Sequence, residues 1–599
     1  MAATHRGHYD AVVIGSGFGG AVAAYHLVAE RDLKVLLLER GLPYPPGSFA
    51  RTPREMSRNF WDPSAGLHGL FEMWSFSHVR ALVSSGLGGG SLIYANVLLP
   101  KPPDSFAADP SNDGVAWPVT AADLAAEYAG VARVLEPTPL PDEYFEPPRE
   151  RGGVTKTQRF FAAARAGGLE PARAPIAVTF RAPGAGGAGV AAAAGGAAAG
   201  GAAAGGGAAR AEPGVPFGAA NLHGRPRHTC TLVGECDLGC NEGAKNTLDY
   251  TYLTDFLATG GDRAQIFTCC EATGIEPADG GGYQVHFVEH RAARAQVLGR
   301  RQPEDGAAEL LDPATDEASD AWTRTVTASV VVVAGGTFGS TRLLLASRPR
   351  LPRLSAQLGR RFSTNGDLLT VARGCRAPDG SADDLDPTYG PVITAYAEHA
   401  TNGRRLWMQD AGGPGVSAWA WQAGEMPRDL WSARELLPGL IRGRRGGRIS
   451  ALMARALGSA ESSASMLPML TMGEDVSGGR MRLEGDGLAL DWDPRGASRS
   501  YFRSALGLAE LLAKGLGGRL GPPLAARLAP GLTAHPLGGC PMGTDARNGV
   551  VDSHGEVFGY PGLFVADGSI MPGPVGPNPS FTIAAMASRI GQAARERAS

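Results

Sequence analysis

The stretch Tyr9-Asp10-Ala11-Val12-Val13-Ile14-Gly15-Ser16-Gly17-Phe18-Gly19-Gly20 sets G-x-G-x-x-G directly after an apolar run that reads as a buried strand. Residues 21–30 are helix-forming, residues 33–38 form a second apolar run, and Glu39 stands at its end. Each part has a physical job. Gly15 permits the tight turn, Gly17 lets the backbone approach a pyrophosphate, and Gly20 lets helix and strand pack closely. The helix start offers unpaired N–H groups and the positive end of its dipole to phosphate. Glu39 falls where a carboxylate can accept from a ribose diol. With 85 glycines in the chain a lone triplet would decide little; strand, helix, strand and terminal acid together point to a nucleotide cofactor.

The 599 residues are enough for two to four domains. A net charge of −3 gives no electrostatic reason to expect nucleic acid or an anionic membrane. No apolar run reaches the roughly 18–20 residues of a membrane span. The first apolar run is the cofactor strand itself rather than a signal segment, so a cytoplasmic protein is expected. Seven cysteines, an odd number in a long chain, suggest reduced thiols rather than a disulfide framework.

Residues 184–209 are Gly and Ala apart from Val190 and read as a flexible surface insertion with nothing to bury. Residues 291–320 read as an irregular loop between strands at 283–289 and 325–333. The run 329–336 (SVVVVAGG) and the helix expected over 337–346 make a second strand–turn–helix unit. Residues 366–529 mix Trp, Gly and Pro with short strands at 480–483 and 488–492. The order implies an α/β, Rossmann-like cofactor domain assembled from discontinuous segments (1–105, 215–365 and 530–599). An α+β substrate-binding cap (366–529) is inserted, with a connecting segment at 106–183 and the insertion at 184–214.

Leu563-Phe564-Val565-Ala566-Asp567-Gly568-Ser569 is an apolar strand ending in a polar turn. It leads through Gly576-Pro577-Asn578-Pro579-Ser580 to a terminal helix, with Asn578 expected as its N-cap and Pro579 at its first position. Thr533-Ala534-His535-Pro536-Leu537-Gly538-Gly539-Cys540 lies shortly before. Pro536 holds His535 toward extended backbone. A neutral imidazole is suited to take a hydroxyl proton while carbon gives hydride; taken alone, a hydrogen-bonded structural histidine is the favoured reading.

Together these pieces resemble the glucose-methanol-choline oxidoreductase superfamily, whose members bind FAD. Ser85-Gly86-Leu87-Gly88-Gly89-Gly90-Ser91-Leu92-Ile93-Tyr94-Ala95-Asn96-Val97 looks like its second signature, and HPLGGC and GPNPS match the branch with a His/Asn catalytic pair. The resemblance implies catalysis by His535 on the hydroxyl proton and by Asn578 on the hydroxyl oxygen. It implies FAD contacts from Gly15, Gly17, Phe18, Gly19, Gly20, Glu39, Gly89, Gly90, Ser91, Tyr94, Asn96, Gly335, Asp567, Gly568, Gly576 and Pro579. Tyr94 stands roughly where some relatives carry a flavin-linking histidine, so FAD is expected to be non-covalent. The implied substrate is a secondary alcohol such as a 3-hydroxysteroid. Oxygen or an electron carrier takes the electrons, and transient contact with a membrane surface suits an apolar substrate. The best register puts Gln422, with Glu425 nearby, where isomerising relatives use a glutamate base, so coupled isomerisation is not expected. Residues 465–472 suit an apolar pocket and equally a core.

Cys230, Val233, Cys236 and Cys240 follow the ferredoxin spacing C-x2-C-x2-C-x3-C with Val in the second position. Reduced structural cysteines, with no metal, are the favoured reading. Three thiolates holding a three-iron cluster, or zinc with a fourth ligand such as His228, are the alternatives. A cluster would make the chain a dehydrogenase passing electrons to a quinone or other carrier. A flavin-binding module without catalysis is the remaining one.

Overall fold

The computed structural model describes residues 7–108, 114, 116–182, 211–218, 220–290, 293, 321–401, 403–414, 464–485, 487–521 and 531–598. The Gly/Ala insertion, all but Ala293 of the 291–320 loop, and the segment with Gln422 and Glu425 lie outside them.

The apolar runs of the sequence meet in one sheet. Strands Ala264–Phe267, Val35–Leu38, His8–Ile14, Ala321–Val333, Tyr283–His290 and Cys270–Pro277 follow one another across it, and Leu563–Val565 joins beside Ala321–Val333. The first four and Leu563–Val565 run parallel; the other two form an antiparallel flank. Val12, Val13, Leu36, Leu37, Val331, Val332 and Val565 are fully buried. Continuous apolar runs of this kind are what a parallel sheet covered on both faces requires. Each such side chain contributes about 1.5–3 kcal/mol. Helix Phe18–Val28 packs against the terminal helix Ser580–Arg597 and against Tyr252–Gly260. The two ends of the polypeptide thus share one core.

Register decides where the site forms. Ile14 pairs with both Leu38 and Val333, and Val333 pairs with Val565. Four parallel strands therefore end in line, and Gly15, Glu39, Gly335 and Asp567 follow those ends at one edge of the sheet. In open α/β sheets that edge is where ligands bind.

The second layer is a six-stranded antiparallel sheet ordered Arg519–Leu520, Leu368–Arg373, Leu467–Gly473, Arg404–Asp410, Ala395–Thr401 and Pro171–Arg173. Helices Thr155–Ala166 and Arg499–Gly515 pack on it through Phe160, Ala164, Leu508 and Leu512. The connecting segment thus supplies both a strand and a helix to this layer. Strands expected at 480–483 and 488–492 form at Gly479–Glu484 and Gly487–Asp491, in a smaller sheet that also holds Leu537–Gly539. The helix expected over 337–346 spans Gly336–Ser347.

Candidate active site

The first glycine turn has the geometry its spacing requires. Gly15 sits at φ +99°, and a Cβ there would lie 2.3 Å from the Ala334 carbonyl oxygen. At Gly20 a Cβ would lie 1.8 Å from the Gly15 oxygen, and at Gly19 it would lie 1.9 Å from the Ala566 oxygen. Gly17 differs: the nearest atom to a Cβ is Gly89 Cα at 3.9 Å, which leaves open space over the turn. The helix that follows has no side-chain cap and no acidic residue in its first turn, so its own first turn leaves its N-terminal dipole unneutralised. Gly20→Ala should strip the purified protein of its dinucleotide and cost about 1–3 kcal/mol or more, because backbone rather than a flexible side chain blocks the methyl. Wild-type cofactor occupancy in that variant would contradict the assignment.

Glu39 is buried and accepts from Ser16 N (3.0 Å), Ser16 Oγ (2.5 Å) and Gly41 N (2.8 Å), which fixes its carboxylate beside the turn. Gly88 N donates to Ser16 Oγ at 3.0 Å, and Gly89, at φ +54°, stands against Gly17. The glycine-rich segment 85–97 is thereby placed on the first turn. Ser91 Oγ donates to Gly88 O, and Tyr94 meets Phe18 edge-on at 5.4 Å. Asn96 is fully buried at φ +69°, and neither atom of its carboxamide has a partner among the described residues. A buried amide with no partner among the described residues, on left-handed backbone, is suited to meet a bound group. Asp567 accepts from Gly336 N, Ser340 Oγ and Ser569 N, and burial pushes its carboxyl above the usual range against those bonds.

His535 lies on the loop between Leu532–Thr533 and Leu537–Gly539. Its Nδ1 is 2.9 and 3.0 Å from the two oxygens of Asp367, whose side chain is 2% exposed against 19% for His535. Asp367 also accepts from Thr533 Oγ1 (2.8 Å) and Ala534 N (2.9 Å). A carboxylate can only accept, so Nδ1 donates, and it is the Nε2 of the neutral ring that is left with the lone pair. Thr337 Oγ1 donates to the Pro536 oxygen at 2.6 Å, tying this loop to the second glycine turn.

Asn578 is buried, and its Oδ1 accepts from Gln409 Nε2 at 2.6 Å. It does not cap the terminal helix, as expected from sequence; Pro579 precedes the first helical residue and no side chain caps it. The carboxamide is instead held by the six-stranded sheet through Gln409, which leaves its Nδ2 as a donor. Gly576, at φ +99°, faces Trp407, two residues before Gln409 on the same strand face; a Cβ at Gly576 would meet that ring at 2.7 Å.

The loops of His535 and Asn578 are held by one turn. Asn365 Oδ1 accepts from Val575 N and Gly576 N, and its Nδ2 donates to the Gly576 and Pro577 oxygens. Two residues on, Asp367 holds His535. Asp475, itself buried, fixes the turn through Ser363 Oγ, Thr364 N and Thr364 Oγ1. Nothing in the sequence marks Asp367, Asn365 or Gln409 as a site residue. The sequence Ser363-Thr364-Asn365-Gly366-Asp367 carries a turn signal, Asn-Gly, but nothing that links it to residues some 200 positions away.

Of residues 465–472, those from Leu467 on lie in strand Leu467–Gly473: Leu467 and Met469 are fully buried in the core of this layer, and Met472, also buried, lies on the opposite face. All seven cysteines are free thiols, and Cys269, Cys270 and Cys375 are buried. His228 stands 3.9 Å from Glu242. Among the described residues no three or more His, Cys, Asp and Glu side chains converge to hold a metal ion, and no helix is long and apolar enough to cross a membrane.

Residues 525–587, which include His535 and Asn578, match a family model described as GMC oxidoreductase; residues 13–73 match one described as an NAD(P)-binding Rossmann-like domain. The chain is 28% identical to a cholesterol oxidase of Mycobacterium tuberculosis, over 97% of this chain and 90% of that protein. It is 26% identical to a cholesterol oxidase of Acinetobacter baumannii, over 97% and 93%. Pyridoxine 4-oxidase from Mesorbium loti superposes with a TM-score of 0.54 at 15% identity, over 98% of each chain. The open turn at Gly17, the orphan amide of Asn96 and the aligned strand ends fit a bound flavin dinucleotide.

Proposed function

The chain belongs to the glucose-methanol-choline family of FAD-dependent oxidoreductases acting on CH–OH donors, and on that premise we propose that it oxidises an apolar secondary alcohol, of the 3-hydroxysteroid class, to the ketone. The observation that carries this reading is the His535–Asp367 pair, held by the same turn that anchors the loop of Asn578.

FAD, bound non-covalently, supplies the hydride acceptor. His535 Nε2 takes the hydroxyl proton, and the Asp367 carboxylate stabilises the imidazolium that forms. Asn578, oriented by Gln409, donates Nδ2–H to the substrate oxygen. The uncapped start of helix Ser580–Arg597, with no acidic residue in its first turn, favours negative charge at its N-terminus. Gly15, Gly17, Glu39, Asn96 and Asp567 hold the cofactor at the strand ends. On the cap side Trp407 and Gln409 are cross-strand neighbours of Met472 and Leu470, a face with one amide among apolar groups. Such a lining suits a sterol-like body carrying one hydroxyl. The two cholesterol oxidase relatives support the same class.

Oxygen is one acceptor for the electrons. An electron carrier is the second reading, favoured by three thiols that line one cavity. Asp367→Asn should slow alcohol-driven flavin bleaching by roughly 10–100-fold, because the orienting partner of a working imidazole is lost while the fold is kept. An unchanged rate would remove Asp367 from the mechanism. The reading as a whole is tested by anaerobic bleaching of the yellow protein against sterols and smaller secondary alcohols. Bleaching with ketone formation is expected for the apolar alcohols; a flavin that no alcohol reduces would leave a binding module without catalysis.

A further inference from the structure

We propose that Lys101 is a positioning residue of the alcohol oxidation: its side chain fixes the loop that presents Asn578, and its charge makes reduction of the flavin more favourable. The inference rests on the flavin and alcohol reading above.

The loop 574–577 (Pro-Val-Gly-Pro) leads into Asn578, and only Val575 and Gly576 in it have a backbone N–H. Two side chains take every backbone polar group of this loop. Asn365 accepts from the N–H of Val575 and of Gly576, and donates to the Gly576 and Pro577 oxygens. The other carbonyls belong to Lys101, whose Nζ donates to Pro574 O at 2.9 Å and to Val575 O at 3.3 Å. A stretch of backbone with all its donors and acceptors satisfied in this way is held in one conformation. Asn365 grips it from the turn that also carries Asp367. Lys101 grips it from the other side.

Lys101 follows closely on Asn96, at the far end of the glycine-rich segment that Gly89 sets against Gly17. That segment meets the start of the terminal helix at further points. Ser580 Oγ donates to Val97 O at 3.4 Å. Lys101 N donates to Tyr128 Oη at 3.3 Å, and the same hydroxyl bonds Thr582 Oγ1 at 2.8 Å. One run of chain therefore touches the first glycine turn at one end and the loop of Asn578 at the other. A shift of either is passed to the other through Lys101.

Charge gives an independent argument. Lys101 is 3% exposed, and its Nζ lies 4.6 Å from the ring centre of Trp117 and 5.5 Å from that of Phe106, both buried. Aromatic faces and carbonyl oxygens hold a cation where water is excluded, and its field is screened less there than at a surface. An apolar side chain would meet the packing alone. The ammonium adds positive charge to the loop that leads into the uncapped start of helix Ser580–Arg597, whose dipole has the same sign. Hydride turns a neutral oxidised flavin into an anion, so both charges favour the reduced form. Lys101 itself exchanges neither proton nor electron.

The test uses the flavin-loaded full chain: the flavin's reduction potential against a reference dye, which needs no alcohol, and anaerobic bleaching by alcohol. Lys101→Gln keeps an N–H donor near the two carbonyls and removes the charge. It should keep its FAD and lower the equilibrium constant for two-electron reduction about tenfold, or about 30 mV. Lys101→Arg restores the charge and should return to the wild-type potential. Lys101→Met removes charge and donors together. It should match the potential of Lys101→Gln and bleach ~10–100-fold more slowly than that variant at saturating alcohol, because Asn578 is displaced. Wild-type potential in Lys101→Gln, or the same loss in Lys101→Arg, overturns the role of the charge; Lys101→Met bleaching as fast as Lys101→Gln overturns the clamp. If Lys101→Met does not fold, the Gln and Arg variants carry the test. When these overturning results come from protein that alcohol still bleaches, the alcohol reading stands without Lys101. A lowered potential in Lys101→Gln, with a wild type that no alcohol bleaches, keeps the charge effect and sinks the alcohol reading instead.

Discussion

His535→Gln should slow the bleaching of bound flavin by a secondary alcohol by ~10²–10⁴-fold, the range that positioned proton transfer supplies. Flavin content should not change, because the imidazole makes its described side-chain bonds to Asp367 and none to the glycine turns. Glutamine keeps the approximate size of the side chain and a polar end near Asp367, yet offers no basic nitrogen. The effect should fall on the rate at saturating alcohol more than on apparent affinity, since proton removal belongs to the transition state. Stopped-flow reduction under anaerobic conditions measures it without involving the electron acceptor. A variant within a factor of about two of wild type would contradict the general-base role, which is expected to be worth at least 10²-fold.

Lys156→Met should destabilise the protein by ~3–5 kcal/mol, because it leaves a buried carboxylate without its cation. Lys156 Nζ and Asp410 Oδ2 are 3.0 Å apart, and both side chains are fully buried. Asp410 also accepts from Thr394 N, Thr394 Oγ1 and Ala395 N, so it is bound to strand Ala395–Thr401 while it follows Gln409 on the neighbouring strand. The pair therefore fixes the strand that orients Asn578. The double variant Lys156→Met/Asp410→Leu should recover much of the loss, since replacing a whole buried pair by apolar groups is often near neutral. Denaturant titration of single and double variants measures both. A single variant within about 1 kcal/mol of wild type would show that the buried charge is relieved elsewhere.

What could be read from the sequence was whatever a short segment must satisfy by itself. Gly15 and Gly20 are recognisable because a backbone turn and a close helix approach exclude every Cβ there, and both demands lie within one strand–turn–helix unit. The strands at residues 8–14, 321–333 and 563–565 showed as apolar runs because both faces of a parallel sheet are covered. The partners of the catalytic candidates did not show. Asp367 and His535 are 168 residues apart, Gln409 and Asn578 169, and Asn365 and Val575 210. Contacts of that span leave no periodicity in a single chain. The start of the last helix was misjudged for the same reason: Asn578 is a good cap by local preference, but Gln409, brought in by the cap sheet, takes its Oδ1. The apolar stretch at 465–472 was ambiguous between pocket and core; strand pairing on both sides sends most of it to the core. The cysteine spacing was legible, but that Cys230, Cys236 and Cys240 line one cavity with Lys245 was not, because only the fold assembles it.

We propose that the two ends of the polypeptide close around one FAD, with His535 and Asn578 beside it. Gly17→Val tests it most directly. Its first added atom meets nothing nearer than 3.9 Å, so the fold should survive while the space for the pyrophosphate is filled. Wild type should carry one releasable FAD per chain, which alcohol bleaches. The variant, folded but colourless, should lose alcohol oxidation with the flavin. A Gly17→Val protein that keeps full FAD occupancy and bleaches at the wild-type rate would contradict it.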